Sequence, residues 1–143
     1  MSLKLFLSIL FILLCVSCHS QTDSLKQIFS AKSFILIENY TGDWGGHTHT
    51  IKFNVQGNKI RVQCESQNNF KTDTLLSKSA LSSLENIFAT CSKSITTSKN
   101  KSTEHIVYKF KSKDFTYIID DKFTMECNGE FKVWKETYLP KQK

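Results

Sequence analysis

Residues 47–65 read HTHTIKFNVQGNKIRVQCE, and this stretch decides the fold. His47, His49, Ile51, Phe53 and Val55 fall on one parity, and Thr48, Thr50, Lys52 and Asn54 on the other. Successive side chains of a strand point to opposite faces, so the alternation predicts a strand buried on one side. Gln56-Gly57-Asn58 supplies a turn, after which Ile60, Val62 and Cys64 alternate with Lys59, Arg61, Gln63 and Glu65. Two amphipathic segments joined by a short glycine turn predict an antiparallel hairpin.

Upstream of the hairpin, Phe34-Ile35-Leu36-Ile37 is an apolar run of strand length that ends at Glu38-Asn39-Tyr40. Thr41 to Gly46 holds three of the five glycines and reads as a loop, because glycine lets the backbone turn tightly. Before these, Leu25, Ile28 and Phe29 form an i, i+3, i+4 face, so a brief helix is expected over 24–31. Downstream, the clearest helix is expected over Lys78 to Cys91. Leu81, Leu84, Phe88 and Cys91 trace its apolar face, Ser77 serves as N-cap, and Leu76 and Leu81 sit at staple positions. Ser92 to Thr103 is a polar loop. Ile106, Tyr108 and Phe110, then Phe115, Tyr117 and Ile119, predict a second hairpin about Ser112-Lys113-Asp114. Phe131 to Trp134 fits a further strand or a short helix.

Strands, one good helix and more strands, with tight turns, give an α+β fold. The expectation is an antiparallel sheet of five or six strands with one main helix packed on one face. The short hairpin links exclude a doubly wound parallel sheet. With 143 residues, 40% of them hydrophobic and eleven of them Phe, the chain has material for one core, and residues 24–143 are expected to form a single domain.

The first residues, MSLKLFLSILFILLCVSCHS, have another character. Lys4 precedes a run from Leu5 to Val16 in which Ser8 is the one polar residue. A membrane-spanning helix needs about 20 apolar residues, so this run is too short to span. A positive start, a short greasy stretch and small residues are the pattern of a secretory signal peptide, here 1–17. Val16-Ser17-Cys18 resembles the lipobox of bacterial lipoproteins, with Cys15 standing where that family usually has Leu. With its Ser/Gln/Thr-rich stretch after Cys18 and a Lys/Asn/Ile/Phe-rich body, the chain resembles small lipoproteins of the Bacteroidota. The resemblance covers the signal and the composition and brings no catalytic residues. It implies a diacylglyceryl group on Cys18, a tether over 18–23 and a place in the cell envelope, facing periplasm or exterior. The alternative is ordinary cleavage after Ser20 and release as a soluble secreted protein.

The net charge is +6, and its excess is local: eight lysines lie between Lys71 and Lys113, against Asp73, Glu85 and Glu104. Such a patch suits an acidic protein, a polyanionic glycan or anionic lipid, or simply keeps a small protein soluble. Export and the lack of interleaved aromatics argue against nucleic acid.

Few residues offer chemistry. His47 and His49 project to one side of their strand and could share a metal, but zinc needs three or four ligands, so no tight metal site and no cofactor are expected. They fit better as the capped end of the inner face beside the glycine loop, with Asp43 nearby in sequence and no position read for His105. Tyr40 and Trp44 flank the glycines, where aromatics can stack on a sugar or a partner, or fold back over the sheet edge. Cys64, Cys91 and Cys127 are an odd set. Cys64 reads as a buried small hydrophobe; if one disulfide exists, it is expected between Cys91, at the core side of its helix end, and Cys127, in the turn-like Glu126-Cys127-Asn128-Gly129. Asp120 and Asp121 are adjacent and face opposite ways, and Gly129 is expected to break any helix between Glu126 and Glu130, so no paired-carboxylate site is predicted. No catalytic residue is assigned.

The expected function is that of a monomeric, non-enzymatic, membrane-anchored binding module that meets a protein or glycan through Tyr40, Trp44, His47 and His49. One alternative is an inhibitor or immunity-type protein that neutralises a toxin or hydrolase. The other is a small metal-dependent hydrolase around His47 and His49.

Overall fold

The computed structural model of the chain describes residues 24–42, 45–66, 71–95, 105–121 and 126–139. Cys18, Asp43, Trp44, the expected signal and tether segments and residues 96–103 of the expected polar loop lie outside them.

A short helix α1 (residues 24–29) leads into β1 (Ser33–Gly42), β2 (Gly45–Gln56), β3 (Lys59–Ser66) and β4 (Lys71–Ser77). Then follow α2 (Lys78–Ile95), β5 (His105–Lys111), β6 (Thr116–Asp121) and α3 (Glu126–Tyr138). The six strands form one sheet in the order β4-β3-β2-β1-β5-β6, antiparallel at every step. The chain is therefore α+β, with helices packed against an antiparallel sheet.

Register explains why one face is buried. Leu36 pairs with Ile51 on one side and Phe110 on the other, and Ile51 pairs in turn with Cys64. One row along, Phe34 faces Phe53 and Phe53 faces Val62. Because side chains alternate, fixing one such row fixes the inner face of every strand. Phe34, Leu36, Ile51, Phe53, Ile60, Val62, Ile106, Tyr108 and Phe110 are all at most 2% exposed.

The helices close this face. In α2, Ala80 N–H donates to the Ser77 hydroxyl at 3.2 Å, and Leu76 and Leu81 are both buried, so cap and staple set where the helix begins. Phe88 stands edge-on to Tyr108 and Phe110, at 4.9 and 4.7 Å between ring centroids, and 5.2 Å from Phe131 of α3. A disulfide joins Cys91 of α2 to Cys127 of α3, with Cα atoms 5.5 Å apart. At the other end, Phe29 of α1 meets Phe34 and Phe110.

Helix α2 runs to Ile95, four residues into the stretch expected as a polar loop, and the structure departs from the sequence reading in four further places. The glycine segment is mostly strand: Gly42 pairs with Gly45, so the hairpin continues to a two-residue connection. Gly45 has φ 110°, a value that suits glycine alone, and a Cβ on Gly46 would lie 2.7 Å from the Tyr40 carbonyl oxygen. Second, β4 was not expected, since KTDTLLS has little apolar alternation. It is an edge strand that buries Thr72 and Leu76.

Third, α3 runs straight through Gly129. Glycine costs about 1 kcal/mol against alanine inside a helix, and burial of Cys127, Phe131 and Trp134 on α2 and the sheet offsets it. Cys127 accordingly lies in the first turn of a helix rather than in the expected turn-like segment, and among the described residues α1 and α3 join the main helix α2 beside the sheet. Fourth, Phe115 belongs to the turn before β6, exposed at 39%.

Candidate functional site

Strand parity that builds the core also carries polar residues inward at one end of the sheet. Continuing from Phe34 and Leu36, β1 turns Glu38 and Tyr40 to the inner face. Continuing backward from Phe53 and Ile51, β2 turns His49 and His47 there. The register sets Glu38 opposite His49 and Tyr40 opposite His47. On the other side, β5 places Tyr108 against Glu38 and Ile106 against Tyr40.

Glu38 is the centre of this cluster. It is 3% exposed, and its Oε2 accepts a hydrogen bond from Lys135 Nζ of α3 at 2.7 Å and lies 3.1 Å from His49 Nδ1. Burial pushes the carboxyl up. The hydrogen bond from His49, together with the charge and hydrogen bond of Lys135, outweighs burial and holds Glu38 below its ordinary value. An ionised carboxylate only accepts, so His49 carries its proton on Nδ1. Lys135 also stands 4.5 Å from the centroid of the Phe131 ring, which holds its stem in place.

Outside this ion-pair set, three rings form a ladder. Tyr40 stacks on His47 at 4.9 Å, and His47 meets His49 at 4.7 Å with a 37° tilt. His47 is exposed on its outer side rather than packed into the end of the core. Desolvation between its neighbours pushes it down, the charges of His49 and Lys135 add to this, and Glu38 opposes them. The net effect leaves it below the usual histidine value.

Tyr40, His47 and His49 are thus brought together, while Trp44 lies outside the described residues. His105 is elsewhere. It sits on the outer face, where it pairs with Asp120, so the sheet stands between it and the other two histidines. Among the described residues, no group of three or more His, Cys, Asp or Glu is arranged to hold a metal ion. Asp121 is buried on the inner face, opposite in sense to Asp120. The Tyr108 hydroxyl and the Thr72 hydroxyl are buried with no hydrogen-bond partner among the described residues. Burial pushes the Tyr108 phenol well up, so it stays protonated.

Glu38 and Lys135 were missed by the sequence reading. Glu38 had a signal: it shares parity with Phe34 and Leu36, so a charge was due on the inner face. Lys135 had none, because its partner lies 97 residues away.

Cys64 is free and buried at 7% exposure, and burial pushes its thiol up. A buried neutral thiol reacts slowly. In the native protein a thiol reagent should leave Cys64 unlabelled over minutes and label it fully once urea is added. Fast native labelling would show that the β3 register is wrong.

The outer face of the sheet is uncovered by any described helix. Its centre carries Ile35, Ile37 and Val107, half-buried, with Ile118 55% exposed beside them on β6. Ion pairs occupy the β2–β4 side: Lys52 with Glu65 at 3.1 Å and Arg61 with Asp73 at 2.5 Å. Lys109 and Lys111 of β5 flank the isoleucines, paired in register with Ile37 and Ile35, and have no acidic partner among the described residues. No described helix is long and apolar enough to cross a membrane. The chain matches no protein-family model, and no curated protein matches it.

Proposed function

We propose that the chain is an exported binding module, held at a membrane by lipid on Cys18, that docks an acidic protein on the open face of its sheet without catalysing a reaction. The observation that carries this reading is the strip of Ile35, Ile37, Val107 and Ile118 bordered by Lys109 and Lys111. Antiparallel sheets commonly leave one face to water, and such a face is then polar. Apolar side chains rimmed by polar and charged residues instead mark a contact surface. Two lysines without local counter-ions favour a partner that is acidic at its edge. An inhibitor or immunity-type role is one form this function would take, since it needs a rigid face and a single partner. Tyr40, His47 and His49 lie on the opposite face, and a glycan or peptide at that end would be a second contact.

A pull-down from envelope extract tests the docking face. Partners held by the wild type should be identified, purified and titrated against the Lys109→Glu/Lys111→Glu variant. An acidic partner that binds one to one and loses at least tenfold in affinity supports the reading. Equal binding by both proteins would rule this face out. The anchor has its own test: Cys18→Ser should move the protein from the membrane fraction to the soluble fraction. Continued membrane fractionation, or a mature N-terminus at Gln21, would rule out lipidation at Cys18.

A further inference from the structure

Two imidazoles on adjacent same-side positions, one of them oriented by a buried carboxylate, are the start of a metal centre. We propose that His47 and His49 chelate a late first-row divalent ion, copper(II) ahead of zinc(II), with Glu38 as the outer partner that orients His49.

The geometry fits. A metal–nitrogen bond of about 2.0–2.1 Å places an imidazole centroid about 3.2 Å from the ion, so two such ligands at right angles stand about 4.5 Å apart and at the tetrahedral angle about 5.2 Å apart. The observed separation is 4.7 Å. His49 offers the right atom, because its Nδ1 proton is committed to Glu38 and the lone pair is left on Nε2. Metal-bound histidines almost always donate their second nitrogen to such a carboxylate or carbonyl, which fixes the ring and raises its basicity. Glu38 stays in that outer role, because the oxygen facing His49 also accepts from Lys135. The Glu38 and Lys135 charges offset each other, so an arriving cation meets little net field.

The ligand count selects the ion. With no third His, Cys, Asp or Glu in place among the described residues, a zinc ion would be half coordinated. Copper(II) accepts two strong equatorial nitrogens with water or backbone oxygen in its remaining positions, and it heads the affinity order for nitrogen ligands. Among the described residues the site is thus a two-histidine port, which suits copper(II) better than zinc(II).

The chain has four histidines, His19, His47, His49 and His105, so a scan of single His→Gln variants is complete. Copper(II), delivered as its weak glycine complex, should bind the full chain one to one with micromolar affinity at pH 7.4. His47→Gln and His49→Gln should each weaken binding at least tenfold, and electron paramagnetic resonance should show two coupled nitrogens reduced to one. His105→Gln and His19→Gln should leave affinity and spectrum unchanged. Glu38→Gln, checked for folding by circular dichroism, should weaken binding about tenfold, within the range seen when outer partners of metal ligands are lost. Unchanged affinity in His47→Gln, loss only in His19→Gln or His105→Gln, or no binding below 100-fold excess of copper would each overturn the proposal.

Discussion

Phe88→Ala is expected to lower the unfolding free energy by about 3–5 kcal/mol, the usual cost of truncating a fully buried phenylalanine. Its ring is 0% exposed and contacts Tyr108 and Phe110 of the sheet and Phe131 of α3, so three elements lose a shared contact at once. Close packing leaves those neighbours little room to collapse into the gap. Urea denaturation followed by far-UV circular dichroism measures the loss. Phe88→Leu, which keeps most of the volume, should recover more than half of it. A loss below about 1 kcal/mol for the alanine variant would mean that α2 does not seat on the sheet as described, since it falls far short of the cavity cost.

Lys135→Met should cost roughly 2–3 kcal/mol at pH 7. Removing one partner of a buried ion pair typically costs 3–5 kcal/mol because the other charge is left uncompensated, but here His49 still donates and Lys135 is itself partly exposed. The effect has a definite pH signature. Glu38 has a folded value below the ordinary 4.5, so its contribution is fully present above pH 4.5 and is lost as pH falls through the lower folded value. The gap between wild type and variant is therefore largest at neutral pH and closes in acid. His47, whose folded value lies below 6.5, adds a loss of the same sign that begins as pH drops below 6.5. His47→Gln should remove that early part alone. The double variant Glu38→Leu/Lys135→Met should regain most of the stability, since a well-packed apolar pair can replace a buried ion pair at little cost. A variant gap that widened in acid would contradict this account of Glu38.

The hairpin over 47–65 was open to sequence reading because burial on one face writes a period of two directly into residue order. The start of α2 was equally open, since Ser77, Leu76 and Leu81 mark it by side-chain chemistry close in sequence. What resisted reading depends on contacts between distant segments. Strand β4 has a polar sequence that only its pairing with β3 makes a strand, as Val62 opposite Thr74 illustrates. Helix α3 contains Gly129, which local propensity counts against it, and is held by Phe131 and Trp134. Trp134 Nε1 donates to the Ala80 carbonyl 54 residues away, at 2.9 Å. The candidate site divides in the same way. His47 and His49 are two residues apart and were visible as a pair. Their anchoring carboxylate was visible only as a charge out of pattern, and the lysine that balances it only in three dimensions.

The central place of β1 in the sheet also sets a reach. The strand starts at Ser33 beside α1, which begins at residue 24, and runs away from it to Gly42. A strand advances about 3.3 Å per residue, so Tyr40 stands roughly 23 Å along from Ser33. On the proposal that lipid holds the chain at Cys18, the rungs of Tyr40, His47 and His49 would ride at the end of the sheet away from α1. A metal ion or a partner arriving from the aqueous side would meet that end first, and the bilayer would sit behind the end sealed by Phe29 and Phe34.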